Sequence, residues 1–325
     1  MVVTANSKPQ NSFAQKLKRR PLIRWLFWLG VSAIIILLGW LFNGLRGGFY
    51  SLPLDIWVNI GVDWLVLNLA VVFDGIKIVT RTVLNNLEAF FLWLPWWTVL
   101  AFLVLIAWRL ASRRVAIFTG AAMYFIGMLG LWDLCMSTLA LIATAVLISI
   151  ILGVPIGILS ARNDRVDSTV RPVLDVMQTM PAFVYLIPAL MFFGIGKVPG
   201  VMATVIFAVP PAVRLTNLGI RQVPKDLVEA AQTFGSTESQ LLFKVQLPIA
   251  LPSIMAGINQ TIMLSLSMVV LAAMIAAGGL GREVFMALGQ VDIGRGFVAG
   301  VAIVLVAMIL DRITQALGKR GKKVI

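Results

Sequence analysis

Side chains able to do chemistry are scarce in this chain. The ordered ones gather in a single polar interruption, VPKDLVEAAQTFGSTESQLLFKVQLP, at 223–248. Leu227, Ala230, Ala231 and Phe234 repeat at helical spacing from a start near Pro224. Pro224 suits a first turn, and Asp226 complements the positive end of the helix dipole. Gly235 stands where a helix takes a left-handed cap, and Thr237 with Gln240 matches a capping box for a second short helix. Leu241, Leu242 and Val245 give that second helix its apolar side, and Pro248 is expected to end it and return the chain to the membrane. The chemistry on offer is recognition. Alanines let another backbone approach closely, and an amphipathic helix laid in a partner's groove is a common docking mode. The alternative is a loop that packs only on its own protein; the long specified spacing from Glu229 to Leu247 and Pro248 argues against it.

Other chemistries lack their residues. There is no histidine, which removes Ser-His-Asp triads, HExxH zinc sites and histidine proton relays. Cys135 is the only cysteine, so no internal disulfide forms, and a small apolar filler at a membrane boundary is its expected role. GIGK at 194–197 has Met191 where a phosphate-binding loop needs its first glycine, so the chain should not hydrolyse ATP by itself. Gly278, Gly279, Gly281, Gly294 and Gly296 read as turns, and Gly153 and Gly157 as close helix packing.

The elements that must position the 223–248 segment are membrane helices. Of 325 residues, 60% are hydrophobic and only 13% charged, too apolar a balance for a soluble domain. Runs of roughly 20 apolar residues predict an all-α polytopic bundle with about eight transmembrane helices. These fall near 22–42, 94–110, 115–131, 134–160, 173–194, 198–213, 252–277 and 297–314. The first follows basic residues, but its core is too long for a signal peptide and no A-x-A site follows, so a retained helix is expected. Asp55, Asp63, Asp74, Lys77, Arg81 and Glu88 punctuate 43–92, which reads as amphipathic helix in the interface, and Trp93, Trp96 and Trp97 mark a headgroup belt.

The net charge of +13 sits in clusters flanking apolar runs: Lys16, Lys18, Arg19, Arg20 and Arg24; Arg109, Arg113 and Arg114; Lys319, Arg320, Lys322 and Lys323. That distribution excludes nucleic acid and follows the positive-inside rule, helped by anionic membrane lipid. It places both termini, 161–172 and the loop 214–251 in the cytoplasm. Residues 1–130 form an N-terminal part, 131–318 the core and 319–325 a basic tail.

Pro181, Pro188, Pro210 and Pro211 signal either ordinary bending or broken helices that line a pathway. Asp175 is either a functional intramembrane acid or a partner of nearby Arg171. Phe183, Tyr185 and Phe192 either line a translocation path or pack against lipid and core.

The pattern Glu229-Ala230-Ala231, Gly235, Val245, Leu247-Pro248 resembles the EAA signature of permease subunits of bacterial ABC importers, with Val245 where isoleucine is commoner. RPVLDVMQTMPAFVYLIPALMFFGIGKVPGV (171–201), QLPIALPSIMAGINQTIMLSLSMVVLAAMIAAGGLG (246–281) and ILDRITQALG (309–318) look like permeases of glycine betaine/proline betaine importers. The resemblance covers most of 130–318 and is weak over 1–90. It implies a type I ABC importer permease fold in a bacterial inner membrane, working as a homodimer. It further implies two ATPase subunits holding ATP-Mg, a separate extracytoplasmic substrate-binding protein, and no cofactor on this chain. By the same resemblance Glu229, Ala230, Ala231, Gly235, Leu247 and Pro248 couple to the ATPase. The solute implied is a betaine, with choline or carnitine as alternatives. A secondary transporter would need ionisable groups near the midplane, where this sequence has almost none, and no residue cluster suits an enzyme.

Overall fold

The computed structural model describes residues 21–41 and 53–321 and divides the chain at Val62–Asp63 into two units. In the first unit Pro21–Leu41 (α1) is an uninterrupted apolar helix, and Leu54–Asn68 (α2) begins there. Lys16, Lys18, Arg19, Arg20, the stretch 42–52, and Lys322 and Lys323 lie outside the described residues.

The second unit is helical throughout, with no strand among the described residues. Its helices are Ala70–Trp93 (α3), Trp96–Leu110 (α4), Arg113–Met128 (α5), Trp132–Arg162 (α6), Asp164–Thr179 (α7), Leu186–Phe193 (α8), Lys197–Arg221 (α9), Lys225–Thr233 (α10), Glu238–Ala273 (α11), Gly279–Gln290 (α12) and Ile293–Gly321 (α13). Among the described residues α6, α9, α11 and α13 are each long and apolar enough to cross a bilayer, and two broken pairs, α2–α3 and α7–α8, raise the total to six. The sequence suggests eight. At a rise of about 1.5 Å per residue, the 15 residues of α4 give roughly 23 Å, short of a hydrocarbon core of about 30 Å.

The centre is the parallel pair α6–α9, joined by the broken α7–α8 segment, with α11 packed on it. Lipid tails are as apolar as leucine, so helices hold together here by close van der Waals contact. A Cβ at Gly157 would lie 2.6 Å from Thr216 Cβ and 2.7 Å from the Val213 carbonyl oxygen; one at Gly153 would lie 2.8 Å from Ala212 Cβ. Both glycines therefore let the α6 and α9 backbones approach. Around this centre, Leu84 of α3 is buried among Ala140, Leu141, Val201 and Val205. Val99 and Ala107 of α4 and Met123 and Ile126 of α5 join Met136, Ile142, Leu266, Ala302 and Val306 in the largest core cluster. The segment expected to lie in the interface thus contains a 24-residue helix, α3, whose Thr80 and Leu84 are buried in the core. Asp74 and Arg81 stay exposed, whereas Glu88, one turn beyond Leu84, also turns toward the core.

Three further differences from the sequence expectations have physical causes. The run 173–194 is not one helix: α7 and the segment Ala182–Phe193 meet at 111°. Pro181 pushes Met180 to an extended conformation (ψ 137°) and has no N–H to donate. The carbonyl this orphans, that of Met177, instead accepts the Tyr185 hydroxyl. Pro248 does not end its helix either. A π-turn at Leu241–Gln246 leads straight into the transmembrane part of α11, the widened turn easing the proline's clash with the preceding carbonyl. Finally, GGLGREVFMALGQ is mostly helix, α12; Gly278 caps it with φ +83° and Gly279 opens it with φ +66°, while Gly281 lies inside it against the Val269 carbonyl.

Candidate functional site

The polar interruption protrudes from the end of the core where α9 stops and α11 starts. Its first helix, α10, is N-capped by Pro224, carries Asp226 in its first turn, and ends at Gly235 with φ +77°. There the Ser236 N–H donates to Ala231 O (3.1 Å) and the Gly235 N–H to Gln232 O (2.9 Å), closing a left-handed cap. Gln240 N–H donates to Thr237 Oγ1 (3.3 Å), and Thr237 N–H to Gln240 Oε1 (3.0 Å), which is the capping box. Local rules read from the sequence therefore describe this segment well. Its boundaries are narrower than 214–251, because α9 runs on to Arg221 and α11 begins at Glu238.

The helix α10 presents its apolar stripe outward. Leu227 and Ala230 are exposed, and Phe234 is 90% exposed beside the Gly235 cap. The opposite side, with Val228, Glu229 and Gln232, faces a cleft of about 340 Å³ shared with Ile220, Arg221 and Gln246. A helix that only packed on its own protein would turn the stripe inward. Glu229 is exposed and Ala231 half-buried. Leu247 packs into the root with Ile220, Leu242, Ala250 and Ile254, and Pro248 is exposed beside it. Tip and root are thus distinct: Glu229, Ala230 and Gly235 are open to a partner, whereas Leu247 anchors the ledge.

Ion pairs that sequence reasoning did not identify hold the root. The Arg162 guanidinium donates to Glu238 Oε2 (2.8 Å), tying the end of α6 to the start of α11. Arg221 donates to Asp164 Oδ1 (2.7 Å), to the Ser160 carbonyl (2.8 Å) and, through Nε, to Asn217 Oδ1 (2.9 Å). Asn217 donates in turn to Asp167 Oδ1 (2.7 Å), whose other oxygen accepts from Arg171 (2.6 Å). Asp175 pairs with Arg214 rather than Arg171. These partners let α9 stay helical through three polar residues, Arg214, Asn217 and Arg221, that end the apolar run in the sequence. Their sequence separations give no local signal.

A second charged cluster lies at the opposite end of α6–α9. Lys197 Nζ donates to both Glu88 oxygens (2.5 and 2.6 Å), and Ser137 Oγ donates to Glu88 Oε1 (2.6 Å). The lysine of GIGK is therefore engaged with a carboxylate. Beside it the Leu280 N–H donates to Thr138 Oγ1 (2.8 Å), joining α12 to α6.

The three aromatic residues proposed for a pathway are not brought together. Tyr185 is buried, its hydroxyl on Met177 O. Phe192 stacks on Phe73 with centroids 4.5 Å apart and planes 10° from parallel. Phe183 alone is exposed. Cys135 is fully buried at the start of α6.

Comparison with known proteins bears on this arrangement. Residues 153–323 match the family model of binding-protein-dependent transport system inner membrane components, a span that includes the ledge and both its supporting helices. The chain is 50% identical over 271 residues to the glycine betaine/proline betaine transport system permease protein ProW of Escherichia coli (strain K12), covering 83% of this chain and 77% of that protein. It is 49% identical over 280 residues to the glycine betaine/carnitine transport permease protein GbuB of Listeria monocytogenes serotype 1/2a (strain 10403S), covering 84% and 98%. Among solved structures, an inward-facing form of the MetNI methionine ABC transporter matches with a TM-score of 0.52 at 22% identity, over 58% of this chain and 93% of that one; this likeness speaks to fold.

Proposed function

Because the chain belongs to the family of binding-protein-dependent transport system inner membrane components, we propose that it forms the translocation path of an ATP-driven importer for glycine betaine, proline betaine or a related quaternary ammonium solute. The observation that carries the coupling part of this reading is the outward apolar stripe of α10, Leu227, Ala230 and Phe234, on a ledge whose root is braced by Arg162, Arg221 and Leu247. A tip that is apolar and exposed needs a partner, and a braced root transmits force to α9 and α11.

In this reading two copies of the chain pair, and each ledge docks one ATPase subunit through Glu229, Ala230, Ala231 and Gly235. ATP-Mg is bound and hydrolysed on those subunits. Their closure draws the ledges together and tilts the helix bundles outward; their separation returns the bundles inward. Both termini lie on the cytoplasmic side with the ledge. A separate extracytoplasmic protein delivers the solute and supplies most of its recognition, an aromatic cage suiting a quaternary ammonium. Phe183, exposed beside the break at Pro181, is the residue assigned here to the path. The betaine assignment follows the names of the similar permeases, with carnitine and choline as the neighbouring choices.

Reconstitution with the cognate ATPase and binding protein tests the proposal. Uptake of labelled glycine betaine is expected only with ATP inside and all components present. Uptake by this chain alone, driven by a sodium or proton gradient, would contradict it.

A further inference from the structure

A cavity of about 480 Å³ opens between the N-terminal helices and the core, away from the ledge and from the break at Pro181. Its floor is Val99 of α4, Ile142 and Val146 of α6 and Ile262 of α11. Phe90 and Phe102, both exposed, flank its mouth. Thr98 is the only lining side chain with a polar atom. Protein interiors rarely leave so much space unfilled. Water is a poor occupant, because a buried water needs two to four polar partners and Thr98 supplies one.

The medium outside the mouth identifies the occupant. The cavity borders the spans α6, α11 and α13, so at that depth the surroundings are hydrocarbon. It extends over Leu139–Val146, about 10 Å along α6, and ends near the middle of that helix. The exposed Trp93, Trp96 and Trp97 stand at its α3–α4 end, the headgroup-level position tryptophans favour. We propose that this cavity is a binding site for one acyl chain of a membrane phospholipid, entering from the tryptophan level and lying between α3–α4 and the core. Ile262 belongs to the helix that begins at the ledge, so the bound chain touches the element that carries the coupling segment. The site depends on the protein being in a bilayer and is independent of which solute it carries.

The full-length protein in nanodiscs, with a trace of phospholipid bearing a mid-chain diazirine, tests this. After irradiation, label on peptides containing 90–103 and 139–146 should exceed label on the exposed Ile151–Leu152 stretch of α6 about fivefold, the ratio given by roughly 1 kcal/mol of preferential binding. Ala143→Trp, which fills the cavity, should abolish the excess and leave the label at 151–152 unchanged. Thr98→Phe is the milder filling variant. Equal labelling of lining and exposed stretches in the wild type overturns the proposal, as does an undiminished excess in a folded filled variant. Should neither variant fold, the wild-type ratio decides.

Discussion

The two ends of the α6–α9 pair hold charge in different ways. At the Ser137 end one carboxylate, Glu88, is 15% exposed and takes a lysine and a hydroxyl from two other helices. At the Ser160 end the charges are many and mostly open: Asp164 is 89% exposed and Glu238 77%, Arg221 alone reaches three acceptors, and Asp167, at 13%, is the sheltered exception. A sheltered single pair has one good geometry and resists separation. Open pairs cost little to rearrange, because water replaces each lost partner. Under the proposed function, the contrast suits a molecule latched at one end and driven at the other, where the ledge projects.

Four substitutions would break or sharpen that contrast. The largest effect is expected between the ends, at Gly157→Leu. The new Cβ would meet Thr216 and the Val213 carbonyl at under 3 Å, so α6 and α9 cannot keep their approach. Folded protein recovered by size-exclusion chromatography should nearly vanish. Next is Phe234→Asp at the ledge tip. A buried interface aromatic is worth about 1–2 kcal/mol, so ATP-dependent uptake should fall about tenfold while yield and melting temperature hold. Third, Lys197→Ala strands the sheltered Glu88 and should destabilise by about 1–3 kcal/mol, read as a lower melting temperature in detergent. The smallest effect is Arg162→Ala. Its exposed pair with Glu238 should contribute about 0.2–1 kcal/mol, while uptake falls by more than stability does, because the brace between α6 and the ledge is lost. If Lys197→Ala proved the milder of the last two on stability, the difference between the ends would be one of position only.

Legibility in the sequence followed the range of the interaction. Gly235 with its positive φ, and Thr237 with Gln240, were readable because caps are local, each rule spanning a few residues. The apolar runs gave the helical class and the approximate places of α6, α9, α11 and α13. The break at Met180–Pro181 was signalled, yet its size was not, since a proline permits a kink and the surrounding packing sets the angle. The helix α12 was hidden by the glycines at its start. Glu88 and Lys197, 109 residues apart, carried no mutual signal, so α3 read as a surface segment although Leu84 is in the core. Of the pathway aromatics, Tyr185 and Phe192 have partners that only the folded chain brings near.

Cysteine accessibility at the two ends tests the central claim most directly. Cys135 is the sole cysteine and is buried, so Phe234→Cys and, at the opposite end, Leu288→Cys each provide one exposed thiol. Maleimide labelling would be compared for the chain alone and for the chain assembled with its ATPase subunits. The account predicts strong protection at position 234 on assembly and none at position 288. Equal labelling of position 234 with and without the ATPase would contradict it.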